Sequence, residues 1–210
     1  PRTKGTDNPS LYIVAAKENW HENKITLYHS PDNANYTKVD TFTSFAKFYT
    51  LQTSYPSTTY DLDDEVGVTL TPFKTDYVVD SLTRTQLFSV NRFLIIDNEI
   101  MKFQTVTLNG NGTITLSGII RGALNTGKVS HNAGASAWII ENSDAIYTPS
   151  NGIINGYYKI VPSTKVSTFN IASISAISIG NPTYARIPFS ISRIQAVRVA
   201  RAVGRHQVQA

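Results

Sequence analysis

Cysteine is absent from the 210 residues, methionine occurs once, at Met101, and tryptophan only twice. A chain without cysteine has no disulfide framework, no thiolate metal site and no cysteine nucleophile. Charged residues make up only 16% of the total, and no acid follows Asp144. No apolar run approaches the roughly 20 residues that span a bilayer, and Pro1-Arg2-Thr3-Lys4-Gly5 has none of the features of a signal peptide. No stable membrane insertion is expected. The local signatures of familiar chemistry are missing as well: there is no G-x-S-x-G elbow, no P-loop and no dinucleotide fingerprint. His21, His29, His131 and His206 are scattered, without the paired spacing that a divalent metal needs. Asp61, Asp63, Asp64 and Glu65 lack the glycine and terminal glutamate of a calcium loop and read as a solvated turn. The expectation is therefore no catalytic residue, no metal, no cofactor and no enzyme.

What the sequence has is β-favouring character. Threonine, serine, isoleucine, valine, tyrosine and asparagine dominate, and a chain of this length can form one large or two small cores, since burial becomes efficient above roughly 100 residues. Short strand-like runs at Leu11 to Ala16, Lys24 to His29, Tyr36 to Val39, Phe45 to Leu51, Val66 to Leu70 and Tyr77 to Val79 are separated by breakers such as Ser30-Pro31-Asp32-Asn33 and Ser54-Tyr55-Pro56-Ser57. The predicted fold is all-β: one or two small antiparallel sandwich-like or barrel-like domains with an extended basic C-terminal arm. The predicted division is a sandwich over residues 1–85, a meander over 86–170 and a basic linker or arm over 171–210. Pro162-Ser163-Thr164 is expected to turn the chain, Ile171 to Ile179 reads as a low-complexity run of Ile, Ala and Ser, and Ser178-Ile179-Gly180-Asn181-Pro182-Thr183 as a linker. A start at proline and a polar lead of about ten residues suggest a piece of a longer polypeptide.

The stretch from Phe93 to Glu141 carries the most information. Ile114, Leu116, Gly118 and Ile120 alternate with Thr113, Thr115, Ser117 and Ile119, the period of a half-buried strand. Asn109-Gly110-Asn111-Gly112 supplies the positive-φ residues of a hairpin before it. Asp97-Asn98 is an earlier turn, and Ala135 to Ile140 reads as a buried strand. The order of an "EI-x-x-F" strand (Glu99 to Phe103), a glycine-bearing hairpin, Leu116-Ser117-Gly118 leading to Arg121-Gly122, a glycine-containing loop and His131 to Ala135 ("H-x-A-G-A") resembles the tail tip hub proteins of long-tailed phages and gene transfer agents. The chain departs from that pattern in the loop, where Arg121-Gly122-Ala123-Leu124-Asn125-Thr126-Gly127 replaces the frequent Arg-Gly-x-x-Gly-Thr.

The resemblance implies a virion protein at the distal tail tip, a homotrimer on the tail axis with other phage tail proteins as partners, supporting host attachment and genome delivery. Five positions within the match, Gly118, Arg121, Gly122, His131 and Gly134, are expected to structure the loop: the side chains satisfy loop carbonyls, and the glycines serve close approach or positive φ.

Charge is distributed unevenly. Residues 1–144 hold all 15 acids against 12 Lys and Arg, a net of −3, while residues 145–210 hold seven bases and no acid, a net of +7. Arg186, Arg193, Arg198, Arg201 and Arg205 sit among Ile, Val and Ala, which fits an interface with acidic neighbours better than specific nucleic-acid binding, for which exposed aromatics are missing. Ile194 to Val203 reads as strand or helix: a helix would set Arg198, Arg201 and Arg205 along one face, a strand would put Val197 and Val199 on one side, and an extended arm is the favoured reading. An alternative function is a carbohydrate-binding module for bacterial surface polysaccharide, or contact with a host receptor. Trp20, Tyr28, Asn33, Asn35 and Tyr36, aromatic rings beside amides near turns, are the candidate glycan contacts.

Overall fold

The computed structural model describes residues 10–17, 21–58, 61–63, 66–141, 145–147, 154–179, 186–187 and 196–201. In chain order the strands are β1 (Ser10–Ala15), β2 (Glu22–Ser30), β3 (Thr37–Phe42), β4 (Lys47–Leu51), β5 (Leu62–Asp63) and β6 (Val68–Pro72). The α-helix among the described residues, α1 (Arg84–Ser89), precedes β7 (Phe93–Ile96), β8 (Glu99–Met101), β9 (Thr105–Leu108), β10 (Ile114–Ser117), β11 (Ile119–Ile120) and β12 (Ser136–Ile140). The remainder is β13 (Ala145–Tyr147), β14 (Gly156–Thr164), β15 (Ile177–Ile179), β16 (Arg186–Ile187) and β17 (Ala196–Arg201). All named strand pairs are antiparallel, so the protein is all-β.

The division into units differs from the expected one. Residues 46–143 form one unit, and residues 1–45 together with 144–210 form the other. The reason is pairing across the expected boundary near residue 85: β6 is hydrogen-bonded to β10, and β4 to β12. Hydrophobic periodicity marks strands but not their partners, so it set a boundary at residues 85/86 where the chain in fact continues one unit. At that position lies α1, which Thr83 and Gln86 start with a capping box: the Gln86 amide donates to Thr83 Oγ1 at 3.3 Å and the Thr83 amide to Gln86 Oε1 at 2.9 Å.

In the first unit, β15, β14, β2 and β3 form one sheet, and β13, β1, β17 and β16 another. Leu11, Ile13 and Ala15 of β1 share a core with Ile25 and Leu27 of β2, Tyr158 and Ile160 of β14, and Ile177 and Ile179 of β15, a sandwich-like arrangement. The stretch expected to be a linker or arm from residue 171 onward thus begins with core, since Ile177 and Ile179 are buried in it. Pro162 does not turn the chain. It lies within β14 opposite Ile25, beyond the reach of β15, which pairs only with residues 156–158, so its missing N–H breaks no ladder. Ala196–Arg201 is extended as expected, and it is registered along the whole of β1.

The second unit is built on a seven-stranded sheet in the order β8, β7, β12, β4, β6, β10, β9. Its two outermost strands are consecutive pieces of one chain, separated only by residues 102–104. Pairing continues through that gap: Lys102 and Ile120 exchange amide bonds at 3.0 and 2.8 Å, and the Gln104 amide reaches Ser117 O at 3.1 Å. The sheet therefore curls until its edges meet on one bent strand, giving a barrel-like body. Tyr49, Leu51, Leu70, Leu94, Ile96, Met101, Leu116 and Ile139 belong to its core. The Asn109 to Gly112 hairpin forms as expected, with Gly112 at φ 81.

One detail of the alternation is different, and it positions the site. Ile114 and Leu116 are buried as expected, but after Gly118 the inward phase passes to Ile119, which has no exposure, rather than Ile120. Gly118 sits at φ 63 between β10 and β11, a kink that breaks the two-residue period. With the phase shifted, Arg121 follows Ile119 inward.

Candidate functional site

Arg121 enters the barrel end and meets Glu99, the first residue of β8. The Arg121 Nε and Nη2 atoms donate to Glu99 Oε1 and Oε2, both at 2.7 Å, a two-pronged ion pair whose side chains have no solvent exposure. The same carboxylate accepts the Gly122 amide at 2.9 Å, the Val129 amide at 3.1 Å and His131 Nε2 at 3.1 Å. Two more arginine protons reach loop carbonyls: Nη1 donates to Pro56 O at 2.9 Å and Nη2 to Val129 O at 2.7 Å. The guanidinium lies 4.2 Å from the centre of the Tyr55 ring. His131 Nδ1 faces Asp97 Oδ2 at 2.8 Å, so both ring nitrogens meet carboxylates. Tyr55 and His131 also exchange backbone bonds, both 2.8 Å, which tie residues 54–56 to the loop.

The electrostatics follow from this geometry. Burial alone would push the Glu99 carboxyl up, but hydrogen bonds from Arg121, His131 and the Val129 and Gly122 amides outweigh it and hold it at about 2. Burial would likewise lower His131, yet its bonds to Glu99 and Asp97 prevail and raise it above the ordinary value. Burial also works against charge on Arg121, and Glu99 more than offsets it. The geometry favours charge on Arg121 and His131 around an ionised Glu99.

Such a cluster has little chemistry to offer a substrate. The proton positions of His131 are engaged on both sides, and the glutamate oxygens are filled by donors. What it does is fix backbone: residues 55–56, 97–99, 121–122 and 129–131 are locked together through three side chains. Among the described residues no group of His, Asp and Glu is gathered to hold a metal ion.

Of the expected loop-structuring residues, Arg121, Gly122 and His131 meet at Glu99. Only Arg121 bonds loop carbonyls, since the His131 ring faces two carboxylates instead. Gly118 and Gly134 lie outside the cluster, and Gly118, Gly122 and Gly134 all take positive φ, at 63, 63 and 87. At Gly122 space matters too, because an added Cβ would lie 2.9 Å from Thr126 O. Glu99, Asp97 and Tyr55 were missed by sequence reasoning. A signal for Glu99 existed: in the apolar run FLIIDNEIM it is the acid that falls on a strand position, and every strand position there is buried. Tyr55 had none, since it lies in a segment that reads only as a breaker.

The other candidates lie elsewhere. Trp20, Arg193 and Arg205 fall outside the described residues. Arg186, Arg198 and Arg201 lie on β16 and β17, which pair with each other, and β17 pairs with β1. Tyr28 is on β2, and Asn33, Asn35 and Tyr36 form the β2–β3 connection. There Asp32 Oδ1 accepts from Ser30 Oγ at 2.7 Å, the Ala34 amide at 2.9 Å and the Asn35 amide at 3.1 Å, which holds its carboxyl far below the usual range. Asn33 takes φ 63, and its Oδ1 accepts the Tyr36 hydroxyl. Asp61 of the acidic run pairs with Lys128 at 2.5 Å.

Residues 49–138 match the family described as Rcc01698-like, C-terminal. The match covers less than half of the chain and lies wholly within the barrel-like unit, including Glu99, Arg121 and His131. No curated protein matches.

Proposed function

We propose that this chain is a structural part of the tail tip of a phage or gene-transfer particle, in the hub or central-fibre region, supporting host attachment and genome delivery. The observation that carries the reading is that Glu99, Arg121, Gly122 and His131, polar and glycine positions of the resembling pattern, converge into one closed lock. The resemblance therefore rests on the residues that rigidify the barrel end, not on scattered surface identities. The family match over residues 49–138 spans the same stretch.

On this reading the work is mechanical, and the chain is not an enzyme. Antiparallel pairing and buried apolar side chains make a stiff body that transmits force without local unfolding. Other tail proteins are the partners, and three copies surround the tail axis at the distal end of the virion. Arg186, Arg193, Arg198, Arg201 and Arg205 meet acidic neighbours in the assembly by charge complementarity. Cryo-electron microscopy of particles carrying an epitope tag on this chain tests the proposal. Three copies on the axis at the far end of the tail are expected, and a chain absent from the particle overturns it.

A further inference from the structure

We infer that the outer face of the sheet formed by β14, β2 and β3 is a binding surface for an acidic oligosaccharide. The inference does not rest on the tail-tip reading. On β14, Tyr158 and Ile160 point into the core, so Tyr157 and Lys159 lie on the opposite face. Register then builds a row across three strands: Lys159 pairs with Tyr28, and Tyr28 pairs with Lys38. Each tyrosine of this region, Tyr28, Tyr36 and Tyr157, is half-buried, and Lys38 is exposed.

The Tyr36 ring is fixed without any ligand. Its hydroxyl donates to Asn33, and the Lys159 ammonium lies 4.6 Å from its centre. Lys159 is itself tethered to Ile171 O at 3.1 Å, which uses one of its three protons. The Asn33–Asn35 tip is held by the four bonds it and Ser30 give to the Asp32 carboxylate, whose acceptor sites are thereby occupied. Flat rings held rigidly at low entropic cost, with amides at their rim, suit the C–H faces of pyranose rings.

The lysines decide the class of sugar. Tyr28 has a lysine as its partner on both neighbouring strands, within the roughly 5 Å that separates facing Cβ atoms. The Lys159 ammonium, held over Tyr36, keeps two protons, and Lys38 follows Tyr28 on the next strand, so a carboxylate on a sugar laid across these rings would meet lysine charge in a charge-assisted hydrogen bond. A neutral sugar gains only the stacking.

Isothermal titration of the full chain with a hexameric uronate oligosaccharide and with maltohexaose tests this. Saturable uronate binding that weakens as sodium chloride is raised is expected, with maltohexaose about tenfold weaker or undetectable. Tyr28→Ala should weaken uronate binding by about tenfold or more. Lys38→Glu, at an exposed position where folding is not at risk, should do the same. No saturable uronate binding, equal binding of the neutral hexamer, or indifference to Lys38→Glu overturns the inference. Because the titration uses isolated chain, its failure leaves the particle-localisation result untouched, and the reverse also holds.

Discussion

Glu99 accepts five donors from four residues: Arg121 twice, Gly122, Val129 and His131. Removing either ion-pair partner strands the other charge in a dry site. Glu99→Ala or Arg121→Ala is therefore expected to lower the unfolding free energy by about 3–5 kcal/mol in urea denaturation, and Arg121→Lys will not restore it, because an ammonium lacks the fork. A loss below about 1 kcal/mol would mean that the cluster is not the lock described. The pH dependence has two limbs. His131 is raised above its ordinary 6.5, so its contribution is complete below that value and fades as pH climbs through the folded pKa. Glu99 is lowered from 4.5 to about 2, so its contribution is complete above 4.5 and fades as pH falls toward 2. Melting curves from pH 5 to 9 should show decreasing stability on the alkaline side, with a flatter profile in His131→Gln. Arginine and histidine were legible in the sequence because they hold the Arg-Gly and H-x-A-G-A positions of the resembling pattern. Their common partner was not, since a contact spanning 22 residues, as Arg121 to Glu99 does, leaves no local periodicity.

At the scale of elements, alternation identified most strands and failed where a backbone kink or a distant partner decides the outcome. Gly118 is the clearest case: a single left-handed residue reverses the inward face, and only that reversal brings Arg121 inside. Ile177 and Ile179 are another, three-residue β15 being too short for its period to stand out within an Ile, Ala and Ser run. Their burial gives a direct test. Ile177→Ala should cost about 2–5 kcal/mol in chemical denaturation, as expected of a core position, whereas a linker residue would cost nothing measurable. The helix α1 was hidden because a six-residue segment offers barely two turns of amphipathic pattern. Its last turn is steadied by Lys102, whose amine donates to Leu87 O at 2.8 Å and Val90 O at 3.1 Å.

At the scale of the whole molecule, the all-β class followed from composition and turn signals, but the order of the units did not. The barrel-like unit is continuous in sequence, from residue 46 to 143, while the sandwich-like unit is assembled from both sides of it. A fragment covering 46–143 is therefore expected to fold alone, with a single cooperative transition by circular dichroism and dispersed amide signals. Residues 1–45 alone should remain unfolded, because β2 would lack β14. An unfolded 46–143 fragment would show that the division is not one of folding autonomy.

The first and last strands of that inserted body, β4 and β12, are antiparallel neighbours, with Lys47 opposite Ile139 and bonded to Glu141. The polypeptide thus departs and returns at almost the same spot. A segment with this geometry is a cassette: a short peptide could replace it without tearing the host sheets, and recombination could carry it whole into an unrelated polypeptide.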